Sequence, residues 1–321
     1  MSATTDISLA GAIRARPERS LPLAVIHALW RFMRRKPLGG VGLVIVSLLF
    51  LCAIFAPAIA PYRYDQQRIA ERLQPPSAKH WLGTDDRGQD MFSRIVYGAR
   101  VSVFVGFGVI FTSTLLATVV GTLSGYFGGW LDIAVQRLVD VFLAIPFLIL
   151  ALTLTSIVPK PDRTRTLLFL ELEPAMQGAL IIVLALGFGF SFGASRVIRG
   201  AVIAIKSNQY MEAARALGAS HPRILLRYVL PNVFPTIIVL ASVQIGAAIL
   251  AESSLSFLGF GVPPPTPSWG RMLSGIGRTY ITQQPLLTIW PGLAIAITVF
   301  GFNMLGDALR DVLDPRLRGA R

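Results

Sequence analysis

Six apolar runs limit this chain more than any other feature, because each is about as long as a helix must be to cross a bilayer. They are Val41–Pro61, Val101–Tyr126, Val139–Val158, Ala175–Ser195, Val233–Phe257 and Pro285–Leu305. At a rise of about 1.5 Å per residue, roughly 20 such residues span about 30 Å of hydrocarbon. The chain is 53% hydrophobic and 15% charged, too little polar surface for a soluble domain. The fold class expected is an all-α integral membrane protein with six transmembrane helices. The first run ends in "APAIAPY", with an A-x-A-like cleavage site at Ala58–Ala60, yet about 40 residues precede it, so it reads as a retained anchor.

Basic residues orient the spans. With the amino terminus cytoplasmic, the inside segments hold 18 of the 30 Lys and Arg, against 12 outside. The bias is strongest in "RFMRRK", just ahead of the first span, where the positive-inside rule has most force. Both termini are therefore expected in the cytoplasm. The net charge of +13 is spread over short segments between spans, a pattern suited to anionic headgroups and not to nucleic acid. The single cysteine, Cys52, excludes a disulfide framework, and three scattered histidines (His27, His80, His221) give no metal-site spacing.

The spans lack an energy source. An ion-coupled carrier keeps an ionisable group near the bilayer midplane, and none of the six runs has one there. Glu252 comes nearest. It lies roughly 30 Å along its helix from Pro231, at the outer interface, where it is expected to be solvated or bonded to Ser253 and Ser254. A P-loop needs a lysine after glycine, but the four lysines follow Arg35, Ala78, Pro159 and Ile205. The glycine clusters "GTLSGYFGG" and "GFGFSFG" therefore read as sites of close helix approach or bending.

A chain with spans and no engine needs mechanical input. The polar stretch "SNQYMEAARALGASHPRILLRYVLPN", Ser207 to Asn232, lies between spans four and five, where it can receive that input. Tyr210, Ala213, Ala214 and Leu217 recur at helical spacing and predict the apolar face of a short helix, capped by Ser207 or Asn208. Gly218 is placed to end it in a left-handed conformation, and Ser220 with Pro222 to start a second helix that Pro231 ends or bends. Small side chains and the acid Glu212 favour a protein contact over a bed of lipid.

These residues carry a resemblance. "EAARALGASHPRILLRYVLP" resembles the E-A-A-x3-G-x9-I-x-L-P signature of permease subunits of binding-protein-dependent ABC importers. Glu212, Ala213, Ala214, Gly218, Leu230 and Pro231 match, and Tyr228 takes the usual Ile position. "HWLGTDDRGQDMFSRIVYGARVSV", "GYFGGWLDIAVQRLVDVFLAIP", "AESSLSFLGFGVPPPTPSWG" and "GDALRDVLDPRLR" look like the peptide/nickel subfamily, in its second permease, which has an extra amino-terminal span. The resemblance runs from about Arg31 to Arg318 and departs at Ser156–Gln177, a longer outer connection expected to be a solvated loop.

What the resemblance implies is a type I ABC importer permease fold. Its parts would be a cytoplasmic tail over 1–38, a first transmembrane helix over 39–61, an extracytoplasmic segment over 62–98, and a core over 99–318 with a coupling loop at 200–231. Glu212 would contact a separate ATP-binding subunit, Ala213 and Ala214 would allow close packing, and Gly218 would make the turn. Leu230 and Pro231 would pass the movement to the fifth span. The implied partners are a homologous permease forming a heterodimer, two ATP-binding cassette subunits, an extracytoplasmic solute-binding protein and the bilayer of a bacterial or archaeal plasma (inner) membrane. This chain would hold no cofactor; ATP and Mg would sit on the partner subunits. Peptides are the subfamily's default cargo, with nickel or another small solute as the alternative. A rival of another class, a membrane scaffold without transport, would tolerate loss of Gly218.

Overall fold

The computed structural model describes residues 30–159, 163–167, 170–275 and 279–313. The first 29 residues of the expected tail and residues 314–318 of the expected core lie outside the described residues. Five helical stretches are long and apolar enough to cross a bilayer, and one bent pair makes a sixth. Helix α1 is Pro37–Ile54, and the chain kinks at Phe55 into a short helix, Ala56–Ile59. A long α2, Met91–Phe127, leads into α3, Gly129–Ala144, and α4, Phe147–Ile157. A two-stranded hairpin, Arg165–Leu167 with Leu170–Leu172, interrupts the connection before α5, Pro174–Lys206. Helix α6, Gln209–Ala216, is followed by α7, His221–Ile224, and then by α8, Leu230–Phe257. The short α9, Trp269–Ser274, precedes α10, Leu286–Leu313.

The third span, expected over Val139–Val158, is broken into two helices. Helices α3 and α4 meet at 92°, with Ile145 (ψ 126°) and Pro146 (ψ 127°) both extended. Proline has no N–H and crowds the residue before it out of the helical region, so the apolar run continues while the helix does not. The connection expected as a solvated loop at Ser156–Gln177 is partly a hairpin, in which Arg165 pairs with Leu172 and Leu167 with Leu170.

Helices α2 and α5 form the centre of the bundle. Val105, Val109, Ile182 and Leu186 are buried together between them. At Gly121 an added Cβ would lie 2.5 Å from the Ser195 carbonyl, and at Gly125 2.9 Å from that of Arg199. In lipid there is little hydrophobic drive to bring helices together, so backbone approach of this kind supplies the dispersion contacts that hold them. The expected close packing is therefore present at Gly121 and Gly125, while Gly128 and Gly129, at φ 66° and 56°, make the turn into α3.

Helix α1 packs on α10 through another close approach, Gly42 against the Gly301 carbonyl. Lys36 pairs with Asp311 at 2.5 Å at one end of this pair. Near the other end of α1, Arg100 of α2 donates to the carbonyls of Ala53 (2.6 Å) and Ile54 (3.0 Å). The last helical carbonyls have no partner within their own helix, and a guanidinium satisfies two of them.

Candidate functional site

The segment between α5 and α8 is a helix, a glycine turn and a second helix. Asn208 stands at the N-cap of α6 with extended backbone, yet its side chain makes no cap hydrogen bond. Position is thus as expected, without the side-chain bond. At the other end, Gly218 N–H donates to the Arg215 carbonyl (2.9 Å) and Ala219 N–H to that of Ala214 (3.1 Å). This pair of bonds is a Schellman motif, which requires a left-handed residue at the glycine, and Gly218 has φ 76°. Nothing lies within 4 Å of where its Cβ would be, so conformation alone demands glycine there.

The inward face of α6 differs from the one expected. Met211 and Ala214 are buried, whereas Tyr210, Ala213 and Leu217 point outward, Leu217 with 88% of its surface exposed. Met211 is the largest apolar side chain available one position along, and it joins Ile198, Val202, Ile224 and Val233 in one cluster. Burying it turns the helix by one residue, about 100°, and leaves a small apolar stripe free. Glu212 is exposed and its carboxylate makes no hydrogen bond or ion pair among the described residues. Arg215, Arg223 and Arg227 of the same segment are exposed as well.

The second helix does not stop at Pro231. Ser220 precedes α7, Pro222 occupies its first turn, and the chain runs on as one helical stretch from His221 to Phe257. A π-turn at Leu225–Val229 joins α7 to α8, with Leu230 N–H reaching back to the Leu225 carbonyl. Pro231 lies in the first turn of α8, where the ladder is already widened. Leu230 is half-buried and Pro231 exposed. The second helix is thus continuous with α8 instead of ending before it.

Polar contacts unseen in the sequence tie this segment to the bundle. His221 Nδ1 lies 2.8 Å from the Tyr126 hydroxyl at the end of α2. Arg199 Nε donates to Asp132 at 2.6 Å, and Arg196 pairs with Asp140, so α3 is held to α5 at the same end. Acids at 132 and 140 and bases at 196 and 199 were visible as types; which would pair depends on how two remote helices rotate.

The opposite end of the bundle holds a buried polar knot. His80, 1% exposed, is bonded through Nδ1 to Asp90 (2.8 Å) and through Nε2 to Glu71 (3.0 Å). Asp90 also accepts from the Ser93 N–H at 2.8 Å and so caps α2. Hydrogen bonds from Lys79 and then His80 hold the Glu71 carboxyl low, at about 2. Burial outweighs the neighbouring Arg94 and pushes Asp85 above the usual carboxylate range. Glu252 corrects another expectation. It is not solvated but fully buried, and its partners are Ser256 (2.6 Å) and Ser253 (3.4 Å). Ser254 bonds instead to the Leu250 carbonyl. Helix α9 covers this stretch, with Gly270 against the Ser253 backbone, an arrangement that no local pattern encodes.

Residues 117–319 match the family model described as binding-protein-dependent transport system inner membrane component. The chain belongs to that family. A second model, the N-terminal TM domain of oligopeptide transport permease C, matches residues 26–76, which accounts for α1 as an added span. The permease is 40% identical over 286 residues to the dipeptide transport system permease protein DppC of Alkalihalophilus pseudofirmus, covering 89% of this chain and 88% of that one. It is 37% identical over 291 residues to the oligopeptide permease OppC of Bacillus subtilis, covering 91% and 89%. The glutathione permease GsiD of Escherichia coli O157:H7 is 37% identical over 294 residues, covering 91% of each chain. Among solved structures, a chain of the MetNI methionine ABC transporter aligns with 70% of this chain and 98% of its own, at 21% identity and a TM-score of 0.47. The permease is thus a membrane-spanning transport subunit, as the signature at Glu212–Pro231 predicts.

Proposed function

We propose that this permease is a passive gate in an ATP-driven importer of peptides, moved through α6 by a separate ATP-binding subunit. The observation that carries this reading is the free face of α6. Tyr210, Ala213 and Leu217 stand outward beside Glu212, which is unpaired among the described residues, on a helix joined by the Gly218 turn to a 37-residue helix. In this reading Glu212 meets a basic group of the ATPase, and Ala213 lets the surfaces approach. Ala214 fits α6 to its own scaffold. Gly218 sets the angle between the two helices, and Leu230 and Pro231 carry the displacement across the π-turn into α8. ATP and Mg²⁺ sit on two such subunits, and this chain supplies no cofactor. Closure of the ATPases biases the permease toward the state that opens outward, a population shift driven by differential contact.

The positive-inside bias supports a cytoplasmic α6 end and cytoplasmic termini, and the importer reading puts the permease in the plasma membrane of a bacterial or archaeal cell. A groove of about 710 Å³ between α8 and α10, lined by Leu250, Phe257, Ile295, Val299, Phe300 and Asn303, is the face for a homologous permease around a shared pathway. A solute-binding protein delivers cargo to the opposite end. Peptides are the cargo that the dipeptide, oligopeptide and glutathione relatives support; nickel is not supported by any of them.

The test is reconstitution of the permease with its partner permease and binding protein, with and without the ATP-binding subunits. Uphill peptide accumulation should require those subunits and ATP. Accumulation without them would end the passive-gate reading.

A further inference from the structure

A cavity of about 620 Å³ lies at the end of the bundle away from α6, between the Arg87–Gln89 turn, the start of α2, the Pro264–Thr266 loop and α9. Among the described residues its charged lining is Arg87, Arg94, Arg271 and Asp86, joined by Gln89. Arg94 is held by Asp85, 3.2 Å from its Nη1, while its buried Nε has no acceptor. Arg271 donates through Nη1 to the Val262 carbonyl at 2.7 Å. Burial, and then the neighbouring Arg87, push the Arg271 guanidinium below its ordinary value, so the cations are close enough to repel. On the acceptor side, Gln89 is 2% exposed, and neither its Oε1 nor the buried Asp86 Oδ1 has a donor among the described residues.

Buried polar atoms without partners are costly, and a site that keeps several of them is matched to something that supplies those partners. Three guanidiniums call for a planar anion, for which their fork of donors is shaped. Orphaned acceptors at Gln89 and Asp86 call for N–H groups on the same ligand. A phosphate or sulfate answers the first demand and is repelled by Asp86 on the second. An organic cation has the reverse fault. A carboxylate flanked by amide or ammonium N–H groups answers both.

We propose that this cavity binds the carboxyl-terminal end of a free peptide. The carboxylate sits among Arg87, Arg94 and Arg271, and the adjoining N–H groups donate to Asp86 and Gln89. The cavity is a waiting site on the side from which cargo arrives, which rests on the importer reading above. It makes the permease itself a reader of the peptide terminus, in addition to any selection by a binding protein.

The probe is trialanine, titrated calorimetrically into the assembled transporter in nanodiscs without binding protein, beside trialanine amide, which lacks the terminal carboxylate. Trialanine should bind, and the amide should bind at least about tenfold more weakly. Arg87→Gln, at an exposed guanidinium whose loss leaves the fold intact, should reduce trialanine affinity by about the same factor and leave the amide unaffected. Asp86→Asn should weaken both ligands. Equal binding of acid and amide, or no binding by the unaltered transporter, overturns the proposal. If trialanine fails to bind while Arg87→Gln weakens capture of the binding protein, the cavity is a docking surface for that protein and the peptide proposal is likewise overturned. ATP-dependent uptake with the binding protein, measured on the same preparation, reports on the importer reading separately. Uptake persisting without trialanine binding sinks only the cavity.

Discussion

Gly88 and Gly218 both adopt left-handed backbone, at φ 67° and 76°, yet they sit in opposite surroundings. A Cβ on Gly88 would lie 1.8 Å from the Arg68 carbonyl oxygen, inside the knot built on His80 and Asp90. A Cβ on Gly218 would meet nothing within 4 Å. The first glycine is locked by packing and conformation together, the second by conformation alone. The centre of the knot is a completed structure, with His80 paired to both Asp90 and Glu71. The α6 segment is half a structure, with its polar and apolar groups turned outward. The turn that holds Gly88 is therefore built for rigidity, and the α6 segment for a partner.

Substitutions at the two ends should separate these roles, and Gly88→Ala should have the largest effect on stability. It adds left-handed strain to a backbone collision, for a loss of roughly 2–5 kcal/mol. Thermal unfolding in detergent should show a lower midpoint, and a midpoint equal to that of the unaltered chain would break the comparison. Asp90→Ala comes next, at about 2–3 kcal/mol, because it removes the α2 cap and leaves His80 without one of its partners. Proteolysis of the Tyr62–Asp90 loop should accelerate in step.

Gly218→Val should cost only about 1–2 kcal/mol of strain, yet abolish uptake because the angle between α6 and α7 changes. Gly218→Asn, which tolerates the left-handed region, should retain part of that uptake. Uptake by the valine variant equal to that of the unaltered permease would dissolve the difference between the ends. Glu212→Lys should change stability least, by under about 0.5 kcal/mol, since the side chain is exposed and unpaired. It should instead weaken co-purification of the ATP-binding subunit, and unchanged recovery would count against direct contact.

The contrast also explains what the sequence made legible. Spans could be read because about 20 consecutive apolar residues is a local signal that no tertiary contact overrides. Gly218 could be read for the same reason, since a glycine after a short amphipathic run has one common use. The break at Pro146 was present in the residues, but the continuing apolar run masked it; hydropathy reports burial in lipid, not helical continuity. The inward face of α6 turned on whether Met211 or Leu217 found a pocket, which remote residues on α5 and α8 decide. Glu252 and His80 were hidden more deeply. Each is buried by segments distant in the chain, α9 in one case and the Glu71 turn in the other, so no spacing pattern announces them.

Photo-crosslinking along α6 in the assembled transporter tests the central claim most directly. A photoreactive residue replacing Ala213 or Leu217, both outward, should label the ATP-binding subunit, and the same probe at the buried Ala214 should not. Labelling of lipid alone from Ala213 and Leu217, with the ATP-binding subunit untouched, would contradict it.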